Sequence, residues 1–247
     1  MKTYGLIGKS LGHSFSKGYF TDKFAKNDIQ AEYKNFELEN INLLIDTIKK
    51  NETLKGLNVT IPYKEEVLPL LNEIDDTAKA IGAVNTIKIT QNNRQLNLKG
   101  FNTDAFGFKQ SIKPFLASQH ENALILGTGG ASKAVEFVLK EIGINVHFVS
   151  RTIKDGNYLT YDQLNEIAIK HFKLIVNCTP LGTFPNIKDK PSLPYNSITK
   201  QHLLYDLIYN PEQTEFLRLG KEKNALTVNG LSMLKHQAEK AWKIWNS

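Results

Sequence analysis

The sequence predicts an α/β protein with two domains, the second of which is a doubly wound parallel sheet. Three observations support this prediction. The apolar run Ala123–Leu126 leads into a glycine-rich turn and a helical pattern, as a strand buried on both faces of a parallel sheet would. Beyond residue 104, apolar runs and helical patterns alternate. The chain has 247 residues, which suits one large or two ordinary domains.

The composition is that of a soluble globular protein without internal disulfide bonds. Hydrophobic residues make up 41% of the chain and charged residues 23%. No run of about 18 apolar residues occurs, so we expect no membrane-spanning helix. The first residues lack the apolar segment of a signal peptide. The single cysteine, Cys178, fits a reducing compartment, and we expect a cytoplasmic protein in which this side chain is buried and inert.

The net charge of +6 favours an anionic ligand of some kind. Nucleic acid is one alternative, but the basic residues are scattered along the chain, and a small anionic molecule is served equally well. The six histidines show no metal-ligand spacing, and His13 is interpreted as support for its own loop. We therefore expect a small-molecule ligand, with no metal, nucleic acid or membrane partner. Monomer and homodimer both remain open.

In the first domain, a short strand, Tyr4–Gly8, is followed by a polar loop and a helical pattern. Ser14 and Ser16 stand where the loop meets the helix. Their hydroxyls would either cap the helix or bind an anion together with the free N–H groups. The remaining elements predicted for this domain are the strand Tyr33–Leu38, the helix Ile41–Lys50, the strand Leu57–Ile61, and the strands Gly82–Thr90 and Gln95–Phe101 joined by the turn 91–94.

Two stretches of this domain carry polar residues at positions that suggest chemistry. Alternation places Asn58 and Thr60 on one face of a strand that Pro62 ends. Lys64 then stands at the head of the next helix, where the helix dipole disfavours a cation, so its side chain is either solvated or functional. Further along, Thr103 or Asp104 is placed to cap a helix, and capping alone would explain Asp104.

The second domain is predicted from its alternating pattern. Its elements are the strand 123–127, the helix 131–142, the strand Asn145–Ser150, the helix Asp162–Ala168 with a capping box at Thr160 and Gln163, the strand Lys173–Cys178, a loop over 180–194, the strand Leu203–Tyr209, the helix Gln213–Lys221 and the strand Ala225–Val228. We expect the last helix, Leu231–Trp245, to return to the first domain, because its apolar stripe through Leu231, Leu234, Ala238, Ala241 and Trp245 needs cover. The prediction is an N-terminal α/β domain of residues 1–104 plus 229–247 and a Rossmann-type domain of residues 105–228.

The glycine-rich turn predicts a dinucleotide site. Gly127 and Gly129 permit a tight turn and let a pyrophosphate approach the N–H groups of the following helix. Ser132 replaces the third glycine of the usual fingerprint, and an ordinary strand-to-helix turn is the alternative.

The residues after the next strand predict which dinucleotide is bound. Ser150, Arg151 and Thr152, with Lys154 close by, stand where a site for NAD would place an acid. Because arginine suits a 2′-phosphate, they predict NADP. A solvent-facing arginine is the alternative.

Eight short stretches of the sequence, spread over nearly the whole chain, form an ordered set of motifs. They are His13–Ser16, Asn58–Lys64, Gly82–Thr86, Gly100–Asp104, Gly127–Ala134, Asn177–Gly182, Tyr209–Thr214 and Asn229–Gln237. As an ordered set they resemble the motifs of the shikimate dehydrogenases. The resemblance implies NADP-dependent interconversion of 3-dehydroshikimate and shikimate in the aromatic amino-acid (chorismate) pathway. It also implies that the first domain binds substrate and carries the catalytic residues, while the second binds NADP.

The resemblance assigns roles to individual residues. It implies Lys64 and Asp104 as the catalytic pair. The implied substrate-binding residues are Ser14, Ser16, Thr60, Asn85, Tyr209 and Gln237. The implied cofactor-binding residues are Gly127, Gly129, Gly130, Ala131, Ser150, Arg151, Thr152, Thr179, Gly230 and Met233. Departures from the family pattern are Ser10 and Lys17 in place of prolines, Asp155 in place of a basic residue and Thr183 in place of a methionine.

Two other functions remain open at this point. One is a quinate/shikimate dehydrogenase of broader specificity, for which NAD is an open choice of cofactor. The other is a non-catalytic regulator that binds NADP or shikimate. The presence of both Lys64 and Asp104 favours an enzyme, because binding alone does not require the pair.

Overall fold

A computed structural model describes residues 1–12, 14–92, 95–152 and 157–247. The interpretations of His13, Lys154, Asp155 and part of the turn 91–94 lie outside these ranges. The chain divides into two compact units, one of Met1–Thr103 with Ala238–Ser247 and the other of Asp104–Gln237. In the parts of the chain described, no helix is both long and apolar enough to cross a membrane.

The first unit contains a six-stranded mixed sheet with the strand order β2-β1-β3-β5-β6-β4. Its elements are β1 (Lys2–Gly8), α1 (Phe15–Lys26), β2 (Ala31–Glu37), α2 (Leu44–Lys49), β3 (Leu54–Val59), α3 (Tyr63–Glu66), β4 (Glu73–Ile74), α4 (Asp76–Ile81), β5 (Thr86–Asn92) and β6 (Gln95–Phe101), with α5 (Thr103–Ile112) beginning at its end. β1 is parallel to β2 and β3, and β5 is antiparallel to β3 and β6. The carboxyl ends of β1 and β3, at Gly8 and Val59, therefore meet at one edge of the sheet.

The second unit contains a six-stranded sheet in which every described pairing is parallel. Its elements are β7 (Asn122–Leu126), α6 (Gly130–Glu141), β8 (Asn145–Ser150), β9 (Tyr158–Thr160), α7 (Glu166–His171), β10 (Leu174–Asn177), β11 (Leu203–Asp206), α8 (Glu215–Glu222), β12 (Leu226–Val228) and α9 (Leu231–Trp245). The strand order is β12-β11-β10-β7-β8-β9, the 3-2-1-4-5-6 order of a Rossmann fold. The predicted fold class is confirmed. The order reverses between β7 and β10, and open α/β sheets bind ligands at such a point.

The C-terminal part of α9 packs within the first unit, as predicted. Ala238, Ala241 and Trp245 join a buried cluster with Tyr4 and Phe20. The indole of Trp245 stacks on the ring of Tyr4 at a centroid distance of 5.0 Å, and its Nε1 donates to the carbonyl of Ile87 at 3.0 Å. In the N-terminal half of α9 the buried side chains are Met233 and Gln237, whereas the predicted Leu231 and Leu234 are only half-buried.

Replacing Trp245 with alanine should lower the free energy of unfolding by about 3–5 kcal/mol, because a large buried aromatic would leave a cavity. Trp242 on the same helix is half-buried and serves as the matched control. Its replacement with alanine should cost clearly less. Urea denaturation of the two variants measures both effects, and equal losses would mean that Trp245 does not anchor the helix.

Several predicted boundaries were wrong, for local reasons. The residues from Gly82 do not start a strand. Gly82 ends α4 in the left-handed region (φ 71°), and β5 begins at Thr86. The capping box of Thr160 and Gln163 forms, but it closes a 3₁₀ turn, and α7 begins later with Asn165 as its cap. Three elements were not predicted from the sequence, because with two, six and three residues they have too few positions to show a period. They are β4, α4 and β9.

Two further expectations need correction. α5 begins at Thr103, so Asp104 lies inside its first turn rather than at the capping residue before it. Cys178 lies after β10 instead of within it, and it is half-buried rather than buried. Asp104 and Cys178 therefore both lie at the end of an element, where side chains reach ligands in this class of fold.

Candidate active site

Backbone hydrogen bonds gather the predicted substrate residues of the first unit at the carboxyl edge of its sheet. The N–H of Thr60 donates to the carbonyl of Ile7 at 3.0 Å, and the N–H of Val59 donates to the carbonyl of Asn85 at 2.8 Å. A Cβ on Gly8 would lie 2.7 Å from Cγ2 of Thr60. These contacts fix Thr60 and Asn85 beside the ends of β1 and β3.

The carboxamide of Asn85 has a defined orientation. Its Oδ1 accepts the N–H of Thr103 at 2.7 Å and the hydroxyl of Thr103 at 3.1 Å. Because a backbone N–H only donates, the oxygen of the carboxamide must face Thr103. The Nδ2 group is therefore the one through which Asn85 would donate to an oxygen of a ligand. Thr103 directly precedes Asp104 in the chain.

Lys64 is held by its neighbours on α3. The preceding residue, Tyr63, is buried and donates its hydroxyl to the carbonyl of Leu38 at 2.5 Å. The carbonyl of Lys64 accepts the N–H of Val84 at 2.7 Å, next to Asn85 in the chain. The side chain of Lys64 is half-buried. The backbone of this lysine is thus fixed on both sides at the edge that carries Thr60 and Asn85.

The two serines of the first loop have different roles in the structure. Ser14 caps α1, because its Oγ accepts the N–H of Lys17 at 3.2 Å. Ser16 is buried in the first turn and hydrogen-bonds the hydroxyl of Tyr33. Tyr33 in turn donates to Oδ1 of Asn58 at 2.8 Å, and Asn58 Nδ2 donates to the carbonyl of Asn85 at 3.4 Å. Asn58, to which the sequence analysis gave no role, therefore links Ser16 to Asn85.

In the second unit, the glycine-rich turn follows β7 at the point where the strand order reverses. Gly127 has φ 96°, and a Cβ there would lie 3.0 Å from Cγ2 of Thr179, which follows β10. Gly129 caps α6 with an extended backbone, and a Cβ there would have nothing within 4 Å. Ser132 is buried and donates to the carbonyl of Gly129 at 2.7 Å, so it fits where the fingerprint has glycine.

The open space at Gly129 allows a test of whether a nucleotide binds at this turn. No described atom of the protein requires glycine there, so replacing Gly129 with leucine should leave the melting temperature nearly unchanged. If a pyrophosphate approaches the turn, the affinity for NADPH should fall by about tenfold or more, because the side chain would occupy its place. Gly143 near the other end of α6, with φ 84°, gives the opposite control. Gly143→Ala should lower the melting temperature and leave NADPH affinity intact, and the reverse pattern would contradict a nucleotide site.

Ser150, Arg151 and Thr152 stand at the carboxyl end of the neighbouring strand, β8. Arg151 and Thr152 are exposed, and the N–H of Thr152 donates to Oγ of Ser150 at 3.4 Å. Burial raises the pKa of Tyr161, and the nearby guanidinium of Arg151 partly offsets that rise. Tyr161 directly follows β9, the strand that pairs with β8 at this end.

The remaining predicted residues follow β10 and β11 or lie on α9. Thr179 donates its Oγ1 to Oδ1 of Asn177 at 2.7 Å. Gly230 donates its N–H to the carbonyl of Ile208 at 3.0 Å, beside the half-buried Tyr209. Met233 and Gln237 are buried where α9 meets α5. A Cβ on Gly107 of α5 would lie 2.6 Å from the carbonyl oxygen of Met233 and 3.1 Å from Cβ of Gln237.

Two residues of this edge were missed from the sequence. Leu207 donates its N–H to the carbonyl of Asn177 at 3.0 Å, and its own carbonyl lies 2.1 Å from where a Cβ on Gly230 would stand. Asp206 is buried beside it. The available signal was their position at the end of the fifth strand of a doubly wound sheet. Within the described residues, no group of three or more histidines, cysteines and carboxylates could hold a metal ion.

Each unit thus presents a set of predicted residues at the carboxyl edge of its own sheet. The first unit brings together Thr60, Lys64 and Asn85, with Ser16 connected to them. The second unit brings Gly127 close to Thr179 and places Gly230 beside the segment that carries Tyr209. Asp104 is buried on α5, one turn before Gly107.

The sequence of this chain is similar to those of known proteins over nearly its full length. The family described as the shikimate dehydrogenase substrate binding domain matches residues 6–87. A shikimate dehydrogenase (NADP(+)) of Clostridium beijerinckii is 41% identical over 99% of this chain and 92% of its own length.

Solved structures give the same result. The crystal structure of shikimate dehydrogenase 1 of Peptoclostridium difficile is 39% identical, with a TM-score of 0.85 over 100% of this chain and 92% of that one. The enzyme of Thermus thermophilus, solved in complex with NADP(H) and shikimate, is 30% identical, with a TM-score of 0.85 over 99% and 93% of the two chains. The chain therefore belongs to the shikimate dehydrogenase family.

Proposed function

We propose that the protein catalyses the reversible, NADPH-dependent reduction of 3-dehydroshikimate to shikimate. The observation that carries the proposal is the half-buried Lys64, fixed beside Thr60 and Asn85 at the carboxyl edge of the first sheet. A cation held at such an edge suits a reaction in which a ketone oxygen gains negative charge. The relatives named for this activity support the assignment, and so does the Thermus thermophilus enzyme solved with NADP(H) and shikimate.

The proposed chemistry requires one proton donor. NADPH, when bound, supplies the hydride that the carbonyl carbon receives. The Nζ of Lys64 donates a proton to the carbonyl oxygen, so that the ketone becomes an alcohol, and the lysine regains its proton from water. In the reverse direction neutral Lys64 accepts the proton of the hydroxyl. Asp104 is proposed as the second member of the catalytic pair.

The other side chains are proposed to hold the two molecules. Ser14, Ser16, Thr60 and Tyr209 bind the carboxylate end of the substrate, while Asn85 and Gln237 bind its ring hydroxyls. Asn85 would do so through Nδ2, since its oxygen already accepts from Thr103. The residues proposed for NADP are those of the glycine turn (Gly127, Gly129, Gly130 and Ala131), those after β8 (Ser150, Arg151 and Thr152), and Thr179, Gly230 and Met233.

Further proposals concern organisation and setting. Residues 1–104 with 229–247 are proposed as the catalytic substrate-binding domain and residues 105–228 as the NADP-binding domain. The cytoplasm is proposed as the place of action, in line with the single cysteine. The choice between monomer and homodimer stays a prediction for size measurement in solution.

Steady-state kinetics with two substrates and two cofactors test the function. The purified protein should reduce NADP with shikimate and show its highest kcat/KM for that pair. A comparable kcat/KM with quinate, or with NAD, would identify the broader quinate/shikimate dehydrogenase instead. Binding of NADP and shikimate without any turnover would identify a non-catalytic regulator and overturn the proposal.

A further inference from the structure

Asp206 is a fully buried carboxylate at the carboxyl end of β11. Its Oδ1 accepts Nδ2 of Asn177 at 3.0 Å and the N–H of Ile208 at 3.1 Å. Its Oδ2 accepts the hydroxyl of Thr214 at 2.6 Å. All three partners are neutral donors, so the buried charge is stabilised by hydrogen bonds rather than by a cation.

The partners of Asp206 lead to two segments at this edge of the second sheet. Asn177 uses its Oδ1 to accept both the N–H and the hydroxyl of Thr179, at 3.0 and 2.7 Å. Ile208 directly precedes Tyr209, and its carbonyl accepts the N–H of Gly230. Thr214 caps α8 by accepting the N–H of Leu217 at 3.3 Å. One carboxylate therefore connects the segment that follows β10 to the loop between β11 and α8.

We propose that Asp206 is a positioning residue that fixes two segments against each other, the Thr179 loop (residues 178–184) and the Tyr209 segment (residues 207–214). It acts through Asn177, whose carboxamide holds Thr179, and through Ile208, which holds the backbone before Tyr209. The inference rests on the proposed function, in which Thr179 binds NADP and Tyr209 binds the substrate. A carboxylate suits this position because its two oxygens accept from three donors, one at the end of β10 and two between β11 and α8.

Keeping this charge buried costs stability. Burial raises the pKa of Asp206 from 3.8 to about 6, although the hydrogen bonds from Thr214, Ile208 and Asn177 oppose the rise. Because the folded protein holds this proton more tightly than the unfolded chain does, the protonated carboxyl adds to the free energy of unfolding. This contribution is fully present below about pH 3.8 and is lost as the pH rises through about 6. The charge of Asp206 also affects the pKa values of two tyrosines, Tyr195 and Tyr205. Burial raises the pKa of both, and Asp206 adds to the rise.

Two substitutions separate positioning from simple support of the fold. Asp206→Asn keeps an oxygen for Asn177 and Ile208 and removes the charge. Asp206→Ala removes all three acceptors. Above about pH 6 the asparagine variant should melt at the same temperature as the parent or higher, because the buried charge is gone. The alanine variant should raise KM for both NADP and shikimate by about tenfold or more, and Asp206→Asn should restore most of that loss.

The control is a buried hydrogen bond at the other end of the same strand. His202, before β11, is buried, and its Nε2 lies 2.9 Å from the carbonyl oxygen of Ile169. His202→Leu should lower the melting temperature without changing either KM. If Asp206→Ala behaves as His202→Leu does, with stability lost and both KM values intact, Asp206 only supports the fold.

Hydrogen–deuterium exchange of the ligand-free protein tests the same inference independently of activity. The segments 178–184 and 207–214 should both lose protection in Asp206→Ala and keep it in His202→Leu. Protection that stays unchanged in Asp206→Ala would overturn the inference. Should the parent protein fail to turn over shikimate, the proposed function would fall, while the exchange result would still decide whether Asp206 holds the two segments.

Discussion

Replacing Lys64 with alanine is expected to lower kcat with shikimate and NADP by about 10²–10⁴-fold, the factor typical of one positioned acid–base group. The physical reason is that the hydroxyl of shikimate must lose its proton as the hydride leaves, and alanine offers neither a base for that proton nor a positive charge beside the oxygen. NADPH binding should persist, because Lys64 belongs to the first unit and the proposed nucleotide residues belong to the second. Stopped assays of kcat and fluorescence titration of NADPH measure the two effects.

Lys79 provides the matched control for this substitution. It is an exposed lysine on α4, within the same unit as Lys64. Lys79→Ala should keep full turnover. A Lys64→Ala variant with turnover close to that of the parent would remove Lys64 from the mechanism, and a loss of NADPH binding would mean that the substitution disturbs more than the proton transfer.

Replacing Arg151 with alanine is expected to raise KM for NADPH by about ten- to a hundredfold and to leave KM for NADH nearly unchanged. The guanidinium is exposed at the end of β8, where a 2′-phosphate would form charge-assisted hydrogen bonds with it. NADH lacks this phosphate, so its binding does not depend on the same bonds. Steady-state kinetics with both cofactors give the ratio directly.

Arg218 is the control for the loss of a positive charge in the same unit. It is exposed on α8 and pairs with Glu215 and Glu222. Arg218→Ala should change KM for neither cofactor. Equal shifts for NADPH and NADH in Arg151→Ala would show that the arginine does not read the 2′-phosphate, and the solvent-facing alternative would then be correct.

The sequence predicts those elements whose side chains are uniformly apolar or strictly periodic. The run Ala123–Leu126 is buried throughout, and β7 occupies Asn122–Leu126 as expected. α9 likewise runs over Leu231–Trp245 as predicted. By contrast, β4 has two residues, Glu73 and Ile74, and a strand of two residues is too short to show a pattern in the sequence.

The candidate site was predictable where a motif demands a particular residue, and not where it depends on contacts across loops. Gly127 has a positive φ, and this backbone requirement is what the glycine in the sequence signals. The link from Ser16 through Tyr33 to Asn58 joins three different elements, and no spacing in the chain predicts it. Asp206 was missed for the same reason, because its partners come from two separate segments, the end of β10 and the loop before α8.

Isotope transfer tests the proposed reaction most directly. Shikimate that carries deuterium on the carbon bearing the ketone in 3-dehydroshikimate is incubated with NADP and the protein, and both products are analysed by mass spectrometry. Hydride transfer predicts that the deuterium appears in NADPH and is absent from 3-dehydroshikimate. NADPH that forms without the label, or no reaction with this substrate, would contradict the proposed function.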